Sequence, residues 1–347
     1  MSYQVSVAVV GATGYVGVEL VRLLLFHPMV KIKYLCATQS IGSLLSSHYD
    51  HVLKDSIPVS ISCFSSIDLS KVDVIFLCLP HGQSNEIVKK IHNEVKIIID
   101  LSADFRIKDI DTYKEWYGAH CCPDLIQDFV YGLTEIYWEE IKKSRFVACP
   151  GCYATSALVP LFPLLRLRLV KSQNIIVDAK SGVSGAGRSV DQKKLFCEIH
   201  DVIKSYNISK HRHIPEIEQE LCFAACQENI NVQFVPNLIP VKRGMLSSIY
   251  LELEEGVSPI DIREALLVFY KDSKFIFIDE EKAITTKSVI GTNYCYIGVF
   301  PGRIPNTVII VCNIDNLLKG ASGQAVQNFN IMMSCDETTA LLNIPYL

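Results

Sequence analysis

The sequence predicts an α/β chain in which a doubly wound domain with a parallel sheet precedes an α+β domain with a mainly antiparallel sheet. Three observations point there. The runs VDVIFLCL at 72–79 and VKIIIDL at 95–101 are almost continuously apolar, as strands covered on both faces by helices are. Strand-like and helix-like segments alternate through the first half, the order of a parallel sheet built by crossovers. The second half carries segments such as Ser248-Ile249-Tyr250-Leu251-Glu252-Leu253, whose alternation suits an antiparallel sheet with one face solvated or covered by helices.

The elements follow in order. Gln4–Val10 is β-rich, and a Gly-rich turn leads from it into an apolar helix that runs through Phe26 and stops at His27-Pro28. Lys31–Ala37 is the next strand, followed by the two apolar runs. The first domain ends around Arg145–Pro150, after the strand Phe146-Val147-Ala148-Cys149, and a helical stretch spans Tyr153 to Val159. Beyond it, strands are expected at Asn174–Lys180, Asn231–Val241, Leu246–Glu254, Lys274–Asp279, Tyr294–Phe300 and Thr307–Asn313, with helices at Pro215–Cys226, Pro259–Tyr270 and Asn316–Met333.

Composition removes several classes of function. A net charge of −4 with scattered Lys and Arg offers no basic field for nucleic acid or an anionic membrane. The most apolar stretch, Leu158–Val170, contains Pro160, Pro163, Arg166 and Arg168, and no run reaches the ~20 residues that span a bilayer. No signal-peptide pattern opens the sequence, and Cys36, Cys78, Cys295 and Cys312 sit in apolar strand-like runs. The 13 cysteines therefore read as free thiols of a reducing cytoplasm rather than as a disulfide framework.

The first chemical signal is Gly11-Ala-Thr-Gly14-Tyr-Val-Gly17, between the first strand and the first helix. Glycines there allow a tight turn, and the helix N-terminus offers N–H groups and a positive dipole to a pyrophosphate. The bland alternative is a structural turn. The second strand ends Ala37-Thr38-Gln39-Ser40 with no carboxylate. An NAD-type site would hold a ribose hydroxyl with an acid there, so the pattern leans toward NADP, with Thr38 and Ser40 as hydrogen-bond donors. Leu79-Pro80-His81-Gly82 lies at the carboxyl edge of the same sheet, where open α/β sheets bind ligands.

The second signal is VACPGCYATSAL at 147–158. A redox pair of Cys149 and Cys152, half of a zinc site, and a single nucleophile are the readings to weigh. No second C-x-x-C completes a zinc site. Cys149 ends an apolar strand, whereas Cys152 opens a helix, where a thiol is more easily ionised. His211-Arg212-His213 precedes a helix start at Pro215-Glu216 and supplies candidate acid/base groups; a solvated basic loop is the alternative. A second Gly-rich loop, Lys180 to Arg188, includes Ser181, Gly182, Ser184 and Gly185, and its backbone could meet a phosphate or the nicotinamide end of a cofactor. Arg106, Arg188 and Arg243 are candidate anchors for anions, against the alternative of structural ion pairs.

These motifs resemble one family. GATGYVGVEL at 11–20, LPHG at 79–82, DLSADFR at 100–106, YGLTE at 131–135, PGCYATSAL at 150–158, SGVSGAGR at 181–188, HRHIPEIEQEL at 211–221, PVKRGM at 240–245 and NLLKGASGQAVQ at 316–327 are similar to the N-acetyl-gamma-glutamyl-phosphate reductases over nearly the whole length. The resemblance implies a glyceraldehyde-phosphate dehydrogenase-like architecture. In it an NADP-binding domain over residues 1–150 is completed by a C-terminal helix at 315–347, and residues 151–314 form a catalytic and oligomerisation domain. It implies NADPH-dependent reduction of an acyl phosphate to a semialdehyde through a thioester on Cys152, in arginine biosynthesis. His211 or His213 would be the acid/base, in a homodimer or homotetramer. Gly11, Thr13, Gly14, Tyr15, Val16, Gly17, Thr38, Ser40, Pro80, His81, Ser181, Gly182, Ser184, Gly185 and Asn316 would line the cofactor site, with no metal. The chain departs from the family at Thr38-Gln39-Ser40, where an Arg is common. Aspartate-semialdehyde dehydrogenase and a thiol-disulfide redox protein using Cys149 and Cys152 are the alternatives.

Overall fold

A computed structural model of the chain describes residues 4–48, 59–189, 191–192, 195–279 and 285–345. The chain divides into two compact units, one of residues 1–150 with 321–342, the other of residues 151–320 with 343–347.

The first unit contains β1 (Val5–Val10), α1 (Tyr15–Leu25), β2 (Val30–Cys36), β3 (Ile61–Ser62), β4 (Val74–Leu77), α2 (Ser84–Ile91), β5 (Ile97–Asp100), α3 (Ile110–Tyr117), β6 (Phe129–Tyr131), α4 (Trp138–Lys143) and β7 (Phe146–Ala148). The sheet order is β3-β2-β1-β4-β5-β7-β6, and each neighbouring pair is parallel. All four residues of β4 are buried, which is why its sequence shows no alternation. The short strands β3 and β6 carry too few residues to leave a periodic signal in the sequence.

The second unit contains α5 (Cys152–Arg166), β8 (Ile175–Gly182), α6 (Phe196–Ile199), β9 (Lys204–Ser205), α7 (Ile214–Ala225), β10 (Val232–Ile239), β11 (Met245–Glu252), α8 (Pro259–Phe269), β12 (Ile276–Asp279), β13 (Cys295–Pro301) and β14 (Thr307–Ile314). Its sheet order is β12-β13-β14-β11-β8-β10-β9. The pairs β8/β10 and β12/β13 are parallel and the other neighbours antiparallel, so the sheet is mixed. In β11 the burial alternates strictly, with Met245, Ser247, Ile249 and Leu251 inward.

α5 is longer than its sequence suggests, because it continues through Pro160 and Pro163. Each proline removes one donor from the helical ladder. Pro163 leaves the carbonyl of Val159 without its helical partner, and the Tyr270 hydroxyl donates to that oxygen instead, at 2.5 Å and fully buried. Nearly every residue of α5 is buried, and packing outweighs the lost ladder bonds.

After β14 the chain makes one π-helical turn, Leu318–Ser322, and enters α9 (Gly323–Met332). α9 belongs to the first unit. Ser322 Oγ donates to the Val16 carbonyl at 2.8 Å, His27 Nε2 lies 2.8 Å from Asn330 Oδ1, and Phe329 packs on Phe76. The return to the first unit begins at Ala321 rather than at residue 315. The reason is local: Asp315 accepts from the Gly291 and Leu317 amides, and Asn316 accepts from that of Gly244, all in the second unit.

Tyr270→Phe strips the Val159 carbonyl of its buried donor without changing side-chain shape. We expect it to lower unfolding stability by about 1–3 kcal/mol, read as a lower urea midpoint at unchanged slope.

Candidate active site

In the first unit, the Gly-rich turn is shaped by close approach. Gly11 has φ +87, and a Cβ on it would lie 2.2 Å from the Cys78 carbonyl oxygen; one on Gly17 would lie 2.2 Å from that of Gly11. Both glycines let strand, turn and helix touch. Gly14 differs, since a Cβ there meets only ordinary contact at 3.5 Å. It is the N-cap of α1, which has no side-chain cap and no acid in its first turn. Thr13, Tyr15 and Val16 flank this helix start. An uncapped N-terminus free of acids fits a dinucleotide pyrophosphate. Thr38 and Ser40 follow β2 in a turn where Ser40 has φ +64, and no carboxylate lies among residues 37–43. Pro80 and His81 follow β4, with the His81 ring edge-on to Tyr117.

Arg106 is buried rather than on the surface. Its Nε donates to the Cys149 carbonyl at 2.7 Å and its Nη2 to the Leu101 carbonyl at 2.9 Å, tying together the chain ends after β7 and β5. Cys149 is itself fully enclosed; burial pushes its thiol up to about 12, against the opposing donation from Asn328 Nδ2.

In the second unit, Gly151 caps α5 and Cys152 is its first residue. The Gly151 amide donates to Glu216 Oε1 at 2.8 Å, with Glu216 wholly buried in the first turn of α7. His213 is the N-cap of α7, and its ring lies against Gly151. A Cβ at 151 would sit 2.3 Å from His213 Nε2, and one at Gly320 would sit 2.7 Å from the Cys152 Cβ. Only glycine fits at either place.

His211 is held differently. Its Nδ1 accepts the His213 amide at 3.1 Å, which leaves its own proton on Nε2. Tyr153, Tyr206 and Phe234 meet its ring edge-on, with centroids 5.3, 5.5 and 5.3 Å away. Burial, with His213 nearby, lowers His211 to about 3. It is a neutral imidazole whose acceptor fixes the main chain at His213. The structure thus separates the two histidines, one ring against Gly151 and one behind it.

The Gly-rich loop after β8 is tied to residues 241–245 and to Asn316. Val183 and Ser184 amides donate to the Val241 and Lys242 carbonyls. Asn316 Nδ2 donates to Ser184 Oγ at 2.9 Å, and its Oδ1 accepts the Gly244 amide at 2.8 Å. Cβ atoms on Gly182 and Gly185 would collide with Arg243 Cα and Ser181 Oγ. Arg243 is buried, 2.9 Å from Asp315 Oδ2, while Arg188 is exposed. Glu216, Gly320 and Asp315 were missed as site residues in the sequence. The acid just after Pro215 was visible, but only as a helix-start preference.

All 13 cysteines are free. Among the described residues no group of three or more His, Cys, Asp or Glu could hold a metal ion, and no helix is long and apolar enough to cross a membrane.

Two family models match. Residues 6–144 match the semialdehyde dehydrogenase NAD binding domain, and residues 152–316 the semialdehyde dehydrogenase dimerisation domain. The chain is 80% identical over its full length, and that of the relative, to an N-acetyl-gamma-glutamyl-phosphate reductase of Ehrlichia chaffeensis. A protein of Arabidopsis thaliana described as a probable chloroplastic N-acetyl-gamma-glutamyl-phosphate reductase is 47% identical, over 98% of this chain and 85% of that one. Among solved structures, aspartate semialdehyde dehydrogenase II of Vibrio cholerae shares the fold, with a TM-score of 0.72 at 18% identity, over 96% of this chain and 99% of that one.

Two outcomes are expected. Gly151 has φ −69 and ψ 153, which alanine adopts freely, so Gly151→Ala tests the His213 contact alone; turnover should drop by about 100-fold with the circular dichroism spectrum kept. His211 is neutral in the fold and titrates near its ordinary 6.5 when unfolded. Its contribution to stability is complete above pH 6.5 and is lost as pH falls from there toward about 3. In urea unfolding, His211→Gln should flatten the decline over that window.

Proposed function

Because the chain belongs to the N-acetyl-gamma-glutamyl-phosphate reductase family of semialdehyde dehydrogenases, we propose that it reduces N-acetyl-L-glutamyl 5-phosphate to N-acetyl-L-glutamate 5-semialdehyde and phosphate, a step of arginine biosynthesis, with Cys152 as nucleophile. The observation that carries this reading is the seating of Cys152, first in α5, with Gly320 against its Cβ and the neighbouring Gly151 under the His213 ring.

The helix N-terminus favours the thiolate, which attacks the acyl-phosphate carbonyl. Main-chain N–H groups at the start of α5 stabilise the oxyanion. Phosphate departs and a thioester remains on Cys152. A nicotinamide dinucleotide held at Gly11 to Gly17 would supply the hydride for that carbonyl, and the thiohemiacetal on Cys152 would then collapse to semialdehyde and thiolate. His213 is the acid/base for these proton movements, and neutral His211 is a positioning residue behind it. NADPH is the preferred form, since no carboxylate at residues 37–40 opposes a 2′-phosphate. Gly11 to Gly17, Pro80 and His81 form its site on the first unit. The loop Ser181–Gly185 and Asn316 attend the nicotinamide. Arg106, Arg188 and Arg243 are the proposed anchors for the substrate's phosphate and carboxylate.

A homodimer or homotetramer is part of the proposal. Ile176 and Tyr250 face each other across β8 and β11, each 40% exposed, an apolar sheet face that association would cover.

Cys152→Ala should abolish turnover with either acyl phosphate and keep NADPH binding; near-full activity would sink the mechanism. Cys149→Ser should keep most activity, because the Cys149 thiol is enclosed and protonated. Assays pairing N-acetylglutamyl phosphate and aspartyl phosphate with NADPH and NADH should favour the first substrate and NADPH.

A further inference from the structure

We propose that Asp104 is a positioning residue for dinucleotide binding, which it serves by holding the Pro80-His81-Gly82 turn to the start of α2. The proposal rests on the assignment of that turn to the cofactor.

Asp104 is wholly buried, and its two carboxylate oxygens are spread over three donors. Oδ1 accepts the Gly82 amide at 2.7 Å and the Tyr113 hydroxyl at 3.0 Å; Oδ2 accepts the Asn85 amide at 2.9 Å. Its own amide is fixed as well, donating to Ser102 Oγ at 3.1 Å, and that hydroxyl donates to Asp100 Oδ2 at 2.7 Å. A chain of short hydrogen bonds thus runs from the end of β5 to the turn after β4.

The turn needs such a hold. Gly82 has φ +82, yet a Cβ there would meet nothing within 4 Å. No side chain packs against Gly82 itself, so the conformation there depends on the backbone and its hydrogen bonds. The N-cap of α2, Gln83, makes no side-chain cap bond. Asp104 supplies the missing acceptor from 19 residues away in sequence. A carboxylate at a helix N-terminus is favoured by the dipole, and hydrogen bonds to a charged acceptor are the stronger kind.

The two helix starts at this sheet edge therefore differ. α2 already carries an internal anion, whereas α1 has neither a side-chain cap nor an acid in its first turn. The pyrophosphate belongs at α1, and the turn before α2 contributes shape rather than charge.

The test compares Asp104→Asn with the unmodified chain. NADPH affinity is followed by fluorescence titration, steady-state constants are measured for both substrates, and amide exchange is followed across residues 80–86. With one oxygen replaced by an amide that cannot accept, NADPH Kd and KM should rise ~10-fold. kcat and the acyl-phosphate KM should stay within about threefold, and the Gly82 and Asn85 amides should exchange faster. A folded Asp104→Asn that binds NADPH as tightly as the unmodified chain overturns the proposal, as does a loss confined to kcat. If Asp104→Asn does not fold, Tyr113→Phe decides. It removes one donor from Oδ1 and should weaken NADPH binding about threefold; unchanged binding overturns the proposal. An unmodified chain that binds no NADPH overturns the cofactor assignment and this proposal with it, whereas equal binding by chain and variants overturns this proposal alone.

Discussion

The hydrogen bond from the Gly151 amide to Glu216 is the contact on which the rest of the second unit's chemistry depends. A carboxylate with no solvent exposure is expensive to bury without partners. Here it joins the first turns of two helices, α5 and α7, that have no sequence proximity. Through it the cap of one helix, Gly151, and the cap of the other, His213, come within contact. Cys152, the first residue of α5, and His213, the N-cap of α7, are then neighbours of that joint, and neither needs a long loop to bring it there.

The glycines around this joint act as clearances. Gly151 admits an imidazole and Gly320 admits the Cys152 side chain, and neither has a positive φ. Behind them His211 contributes an acceptor and an uncharged ring to a wall of Tyr153, Tyr206 and Phe234. The Tyr206 hydroxyl donates to that of Tyr153, which donates to the Asn237 carbonyl. The wall is thus a hydrogen-bonded layer anchored on β10 rather than a loose aromatic cluster. Its low polarity accounts for the neutrality of His211, and a neutral ring can accept from the main chain without repelling a second imidazole.

The sheet of the first unit was legible in the sequence because burial on both faces writes continuous apolar runs such as that of β4. The alternation in β11 was legible for the converse reason. The extent of α5 was not legible, since the expected helical stretch ended at Val159 and the donor that replaces the bond lost at Pro163, Tyr270, lies 111 residues from its acceptor. In the candidate site, residue types and spacings drew attention to Cys152 and to the His211–His213 segment, but not to what distinguishes the two histidines. That difference is a matter of which ring touches Gly151 and which is enclosed by aromatics, and both follow from packing between distant elements. Glu216 and Gly320 stayed hidden likewise, because a buried acceptor and a steric clearance leave no periodic or compositional trace.

The placement of α9 has a consequence for biogenesis. Its bond from Ser322 to Val16 spans 306 residues, and its Phe329 fills against β4 of the opening domain. While the chain is being synthesised from its N-terminus, the parallel sheet emerges long before the helix that covers part of it. The intervening residues 151–320 make a unit with its own core and can consolidate first. The nascent first unit must meanwhile carry apolar surface that nothing yet covers, a state in which chaperones bind and aggregation begins. A ribosome stalled before residue 321 leaves that unit unfinished, however well the second unit has folded.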